Sequence, residues 1–106
     1  MYQYFFKQAK ELIQFYRVVL EIPFIKTDVD ESNGVYLGFM ENAPTLCIWD
    51  CEVFNAQPTG YQSFVFQTDN LDLTMECLKK KGVTLSDAIR YHWGTYEVRL
   101  NDIDGN

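Results

Sequence analysis

Two spacings of hydrophobic residues alternate along this chain. Residues 2–6, YQYFF, are aromatic and apolar with no breaker, which suits a short strand. From Gln8 the spacing changes. Ala9, Leu12, Ile13, Tyr16, Val19 and Leu20 recur at three- and four-residue steps, which predicts an amphipathic helix with one core face. Pro23 stops it, because proline cannot continue a helical hydrogen-bond ladder. Phe24 to Val29 suits a strand ended by the polar turn Asp30 to Gly34, and Val35 to Phe39 follows as a second strand. The turn Glu41-Asn42-Ala43-Pro44 leads into a third, Thr45 to Trp49.

Phe54 to Gly60, with Asn55, Pro58 and Gly60, has a linker's composition. After it, Ser63 to Thr68 is predicted as a strand. Asp69 or Asn70 can cap a helix with Leu71, Met75 and Leu78 on its apolar face. Lys79, Lys80 and Lys81 fall in its last turn, where cations suit the negative end of the helix dipole, and Gly82 ends it. Val83 to Tyr91 is irregular, and Trp93-Gly94 opens a last strand, Thr95 to Asn101, followed by the acidic turn Asp102 to Asn106. The halves repeat: Phe6, Ile13 and Tyr16 match Thr68, Met75 and Leu78 at one constant spacing. The organisation expected is a module over 1–53, a linker over 54–61 and a second module over 62–106. Each is a βαβββ unit, and the second lacks its last strand.

Composition narrows the function. At 106 residues, with 47% hydrophobic and 16% aromatic content, the chain suits one packed domain. A net charge of −6 argues against nucleic acid and against anionic membranes. No apolar run approaches the roughly 20 residues that span a bilayer. The start, MYQYFFKQAKEL, lacks the features of a secretory signal. Cys47, Cys51 and Cys77 cannot all pair within one chain and have no second close pair to complete a zinc site. They are expected as free thiols in a reducing cytoplasm. There is no glycine-rich phosphate loop and no Gly-x-Ser-x-Gly turn.

Three segments carry a family likeness. QFYRVVLEIPF, Gln14 to Phe24, resembles the "FYRDVLG" helix end of vicinal-oxygen-chelate domains, the glyoxalase, bleomycin-resistance and extradiol-dioxygenase superfamily. WGTYEVRLNDIDGN resembles that family's penultimate strand and its "DPDGN" turn. SFVFQTDNLD resembles the strand-to-helix start of its second module. Glu21 stands where glycine is usual, and Ile103 where proline is usual. The resemblance implies an α+β fold of two βαβββ modules, whose curled mixed sheet forms a cup with the helices outside. It also implies pairing across a homodimer. The missing strand is expected either beyond Asn106 or from a second copy by a strand swap, with a shortened non-catalytic descendant as the third reading.

Members of the family with lyase or dioxygenase activity hold a divalent metal in the cup on His, Glu or Gln side chains. By register, the corresponding slots fall at Met1, at Ser63 and near Cys47 or Trp49, with the last on the absent eighth strand. None of these residues is His, Glu or Gln. Gln3 and Gln62 are near neighbours, but a one-residue slip turns a side chain to the opposite face. The expectation is therefore no metal and no cofactor.

Alternation on the last strand sets Val98 and Leu100 against Thr95, Glu97 and Arg99. If the apolar face meets the helices, Glu97 and Arg99 face the cup, with Arg99 suited to a carboxylate or phosphate. Tyr36, Trp49, Ser63, His92 and Trp93 complete the expected ligand-binding set, although both tryptophans suit a core equally well. The stretch CIWDCEVF is apolar enough for a module or dimer interface. The function expected is metal-independent sequestration of a small organic ligand. The alternatives are a metal-dependent lyase or dioxygenase related to glyoxalase I, and a structural dimerisation module.

Overall fold

The computed structural model describes residues 2–40 and 45–106. Met1 and the turn expected over residues 41–44 lie outside them. The elements are β1 (Tyr2–Phe6), α1 (Ala9–Gln14) continued by a π-helical turn (Phe15–Val19), β2 (Phe24–Lys26), β3 (Gly34–Leu37), β4 (Leu46–Asp50), α2 (Leu71–Lys80), β5 (Ile89–Arg90) and β6 (Tyr96–Glu97).

The first module forms one mixed four-stranded sheet in the order β1-β4-β3-β2. β1 lies parallel to β4, with Gln3 opposite Cys47 and Phe5 opposite Trp49. β3 runs antiparallel to β4, with Gly34 opposite Trp49 and Tyr36 opposite Cys47. Period-two alternation sends Phe6, Val35, Leu37, Leu46 and Ile48 to one face, where Ala9, Leu12, Ile13 and Tyr16 of the helix meet them and all are buried. Full burial of one such Leu or Ile stabilises the fold by about 1.5–3 kcal/mol.

The first helix closes in a tight left-handed end. Leu20 N–H donates to Phe15 O and Ile22 N–H to Tyr16 O, and Glu21 between them has φ +56°. The long reach and positive φ are those of a Schellman-type stop, with buried Ile22 as its hydrophobic anchor. Lys81 Nζ donates to Val18 O and Val19 O at 3.1 and 2.9 Å, satisfying carbonyls the helix leaves open. This lysine of the run thus joins the end of α2 to the end of α1 rather than only facing water.

Module two follows its expected pattern at α2 and departs from it elsewhere. Asn70 Oδ1 accepts the Leu73 N–H at 3.1 Å as the N-cap, Leu78 is buried, and Gly82 with φ +84° ends the helix. The strand expected over Ser63–Thr68 is extended but has no ladder partner among the described residues. The strand expected over Thr95–Asn101 is regular only at Tyr96–Glu97, paired with Ile89–Arg90 in a small hairpin. Both differences have one cause. A strand is completed by a neighbour, and local pattern does not supply the neighbour. CIWDCEVF does not present a flat outer face either. After Asp50 it turns back through residues 51–55, held by Glu52 and Val53 N–H on Asp50 Oδ1, and lays Phe54 on Trp49 of its own module.

A non-glycine residue in the left-handed region carries a cost of about 1 kcal/mol. Glu21→Gly is therefore expected to raise stability by about that amount, read as a higher urea midpoint at unchanged slope. The exposed Glu21–Lys81 ion pair it removes, at 3.4 Å, offsets little of the gain. Gly34 is the converse case. A Cβ there would overlap the Trp49 ring, so Gly34→Ala is expected to lower stability by about 1–3 kcal/mol in the same assay.

Candidate functional site

The side of the first sheet turned away from α1 is aromatic. Alternation places Gln3, Phe5, Tyr36, Cys47 and Trp49 there. Trp49 is only 5% exposed because its ring lies over Gly34, edge-on to Tyr36 at 5.0 Å and to Phe54 at 5.0 Å. Phe5 meets Phe54 at 6.4 Å, and the Lys26 ammonium sits 4.8 Å from the Tyr36 ring centre. Tyr36 OH donates to Asp28 Oδ2 at 2.7 Å, which holds its proton and raises its pKa. Phe5 and Phe54 belong to this wall and were missed by the sequence reasoning. Their contact depends on how the 51–55 turn folds back.

A second cluster lies on the hairpin. Trp93 is 60% exposed, stacks on Tyr91 at 4.3 Å and meets His92 edge-on at 5.0 Å. Its Nε1–H donates to Thr95 Oγ1, which donates to Glu97 Oε2 at 2.7 Å, so Trp93, Thr95 and Glu97 form one polar line. Tyr96 points the other way, to Asp72 of α2 at 2.8 Å. Regular strand ends at Glu97, so the alternation expected through Arg99 does not run that far. Arg99 N–H is held by Ser86 Oγ at 2.9 Å, and its guanidinium has no acidic partner among the described residues. The predicted residues thus form one pair, Tyr36 with Trp49, and one line, His92-Trp93-Glu97. Arg99 stands beyond Glu97 on β6's continuation, and exposed Ser63 lies on the extended segment.

Among the described residues no group of three or more His, Cys, Asp or Glu side chains could hold an ion. Cys47 is fully buried, and that burial pushes its thiol pKa up, away from the thiolate a metal needs. Trp49 and Ser63 are not ligands of the usual kinds, and Met1 lies outside the described residues.

What closes the domain is a buried carboxylate. Asp102, 7% exposed, accepts Tyr16 OH on Oδ2 at 2.7 Å. It also accepts Asp104 N–H and Asn106 N–H on Oδ1 at 2.8 and 3.0 Å, and Asn106 Nδ2 on both oxygens. Asn106 Oδ1 in turn accepts the Gln62 N–H at 2.7 Å. The FYR helix end and the DIDGN turn are therefore one hydrogen-bonded unit, although they lie 86 positions apart. The model of the Glyoxalase/Bleomycin resistance protein/Dioxygenase superfamily matches residues 1–106.

The chain belongs to this superfamily. Solved members share its fold at low identity. A lactoylglutathione lyase from Agrobacterium tumefaciens is 17% identical with a TM-score of 0.68, over 99% of this chain and 85% of that one. A superfamily member from Sphaerobacter thermophilus is 20% identical with a TM-score of 0.70, over 99% and 88%. An integron cassette protein from the mobile metagenome of the Halifax Harbour sewage outfall is 16% identical with a TM-score of 0.69, over 98% and 88%. No curated protein matches the chain. The glyoxalase-superfamily fold expected from the sequence is thus the one observed, and none of the described helices is long and apolar enough to cross a membrane.

Burial and the Asp102 carboxylate raise the Tyr16 pKa well above the usual tyrosine value near 10. A folded value above the unfolded one stabilises fully below pH about 10, and this part is lost progressively as pH rises above it. Tyr16→Phe is expected to cost about 1.5–3 kcal/mol at neutral pH, the range for a hydrogen bond to a charged group. It should also flatten the alkaline loss. Urea denaturation at pH 7 and above pH 10 reads both effects.

Proposed function

We propose that this chain is a metal-independent small-molecule-binding protein of the glyoxalase/bleomycin-resistance type, sequestering an organic ligand in the cup of its sheet. The observation that carries the reading is the chemistry of the ligand positions. Cys47 is a buried thiol, Trp49 an indole in an aromatic wall and Ser63 an exposed hydroxyl, where the family resemblance implies His, Glu or Gln in metal-dependent members. Binding sites for organic molecules are mostly apolar with a few placed polar groups.

In this reading Tyr36 over Trp49 forms one wall, and His92 and Trp93 the other. Ser63, Glu97 and Arg99 orient the ligand, with the unpaired Arg99 guanidinium taking a carboxylate or phosphate by paired hydrogen bonds. The second reading is a metal-dependent lyase; the Agrobacterium tumefaciens neighbour is a lactoylglutathione lyase by name, while among the described residues no three His, Cys, Asp or Glu side chains group to hold an ion.

The test is tryptophan fluorescence during titration with bleomycin, S-lactoylglutathione and a panel of aromatic carboxylates. Saturable quenching is expected for at least one compound. Arg99→Ala should weaken a carboxylate ligand by roughly tenfold, the loss of one charge-assisted contact. Thermal-shift titration with Ni, Zn, Mn and Fe(II) is expected to give no saturable rise in Tm. Flat fluorescence titrations across the panel, or stoichiometric metal in purified protein, would overturn the reading.

A further inference from the structure

The β5–β6 hairpin sorts its side chains between two faces. Arg90 and Tyr96 are cross-strand partners on one, where the Arg90 guanidinium lies 4.1 Å from the Tyr96 ring centre and Tyr96 OH donates to Asp72 of α2. Ile89 and Glu97 are partners on the other, and Tyr91, whose N–H donates to Thr95 O, continues that face. Trp93 in the turn stacks on Tyr91 at 4.3 Å with the planes 13° apart. One side of the indole is therefore covered, yet the residue is 60% exposed.

Two observations give this face a preference. Trp93 Nε1–H donates to Thr95 Oγ1 at 2.6 Å, and Thr95 donates to Glu97 Oε2 at 2.7 Å. The indole proton is thus drawn towards a carboxylate, which enriches the ring in electron density. Glu97 is half-buried and pairs with no cation among the described residues. The second observation is a contrast within the chain. Three other rings carry a cation of the protein's own: Phe24 with Arg17 at 4.4 Å, Tyr36 with Lys26 at 4.8 Å, and Tyr96 with Arg90. Trp93, the ring type that attracts cations most strongly, carries none among the described residues.

An open indole face, a second ring behind it and a fixed, unpaired carboxylate beside it suit an alkylated ammonium group. A metal ion needs several oxygen ligands, and among the described residues no three such side chains group together. The net charge of −6 favours the approach of a cation. We propose that Tyr91, Trp93 and Glu97 recognise an organic cation carrying a quaternary or methylated ammonium group. The proposal rests on the ligand-binding reading of Trp93 and Glu97 and adds a charge class to it. Arg99 takes an anionic group, and the hairpin takes a cationic one.

The test follows the indole N–H signals of the 2 tryptophans by NMR during titration with tetramethylammonium and with choline at constant ionic strength. The signal lost in Trp93→Phe is expected to shift saturably, while sodium leaves it in place. The uncharged carbon analogue of choline should bind at least about fivefold more weakly, the loss of one cation–π contact. Glu97→Gln keeps an acceptor for Thr95 and removes the charge. It should weaken choline binding roughly threefold, as for an exposed ion pair, at unchanged Tm. No saturable shift, equal binding of the charged and uncharged compounds, or a response indifferent to Glu97→Gln would each overturn the proposal. Quenching by an aromatic carboxylate with no response to either cation would overturn it and leave the ligand-binding reading standing.

Discussion

The fold depends on one buried carboxylate. Asp102 collects Tyr16 OH from the first helix and the Asp104 and Asn106 N–H groups from its own turn, while Asn106 passes the connection on to Gln62. A buried anion is tolerated only when its acceptor capacity is filled, and here both oxygens are occupied. In return it ties the last turn to the first helix. Gly105, with φ +88°, lets the turn come round tightly, and a Cβ there would press on the Tyr61 ring at 3.1 Å.

The first module's sheet is built to leave an aromatic face. Every other residue of β3 and β4 is spent on α1, so Tyr36, Cys47 and Trp49 are left for the opposite side. Gly34 makes room for the indole, Phe54 covers it, and Tyr36 stands beside it with its hydroxyl tied to Asp28. The result is an aromatic floor built from Tyr36, Trp49 and Phe54.

The parts legible in the sequence were those that local physics determines. Periodicity located both helices, Asn70 and Gly82 marked the ends of the second, and alternation put Cys47 and Trp49 opposite Leu46 and Ile48. The motifs FYR and DIDGN pointed to the superfamily. What could not be read were matters of partnership. Ser63–Thr68 has a strand's composition, but no local signal says whether a neighbour is present. Glu21 occupies a left-handed position, and only the resemblance marked it as unusual. Tyr16 appeared as one more core residue and Asp102 as one more turn acid. A single sequence has no signal linking two residues 86 positions apart. In the candidate site, Tyr36 with Trp49 and Glu97 with Trp93 are brought together, whereas Phe5 and Phe54 became visible only when the 51–55 turn folded back.

A double-mutant cycle on Tyr16→Phe and Asp102→Asn, followed by urea denaturation, tests most directly whether this contact holds the domain together. The account predicts a coupling energy of about 1–3 kcal/mol, with the double variant little worse than either single one. Additive losses with no coupling would show that the two residues act separately, and that the halves are held by apolar packing alone.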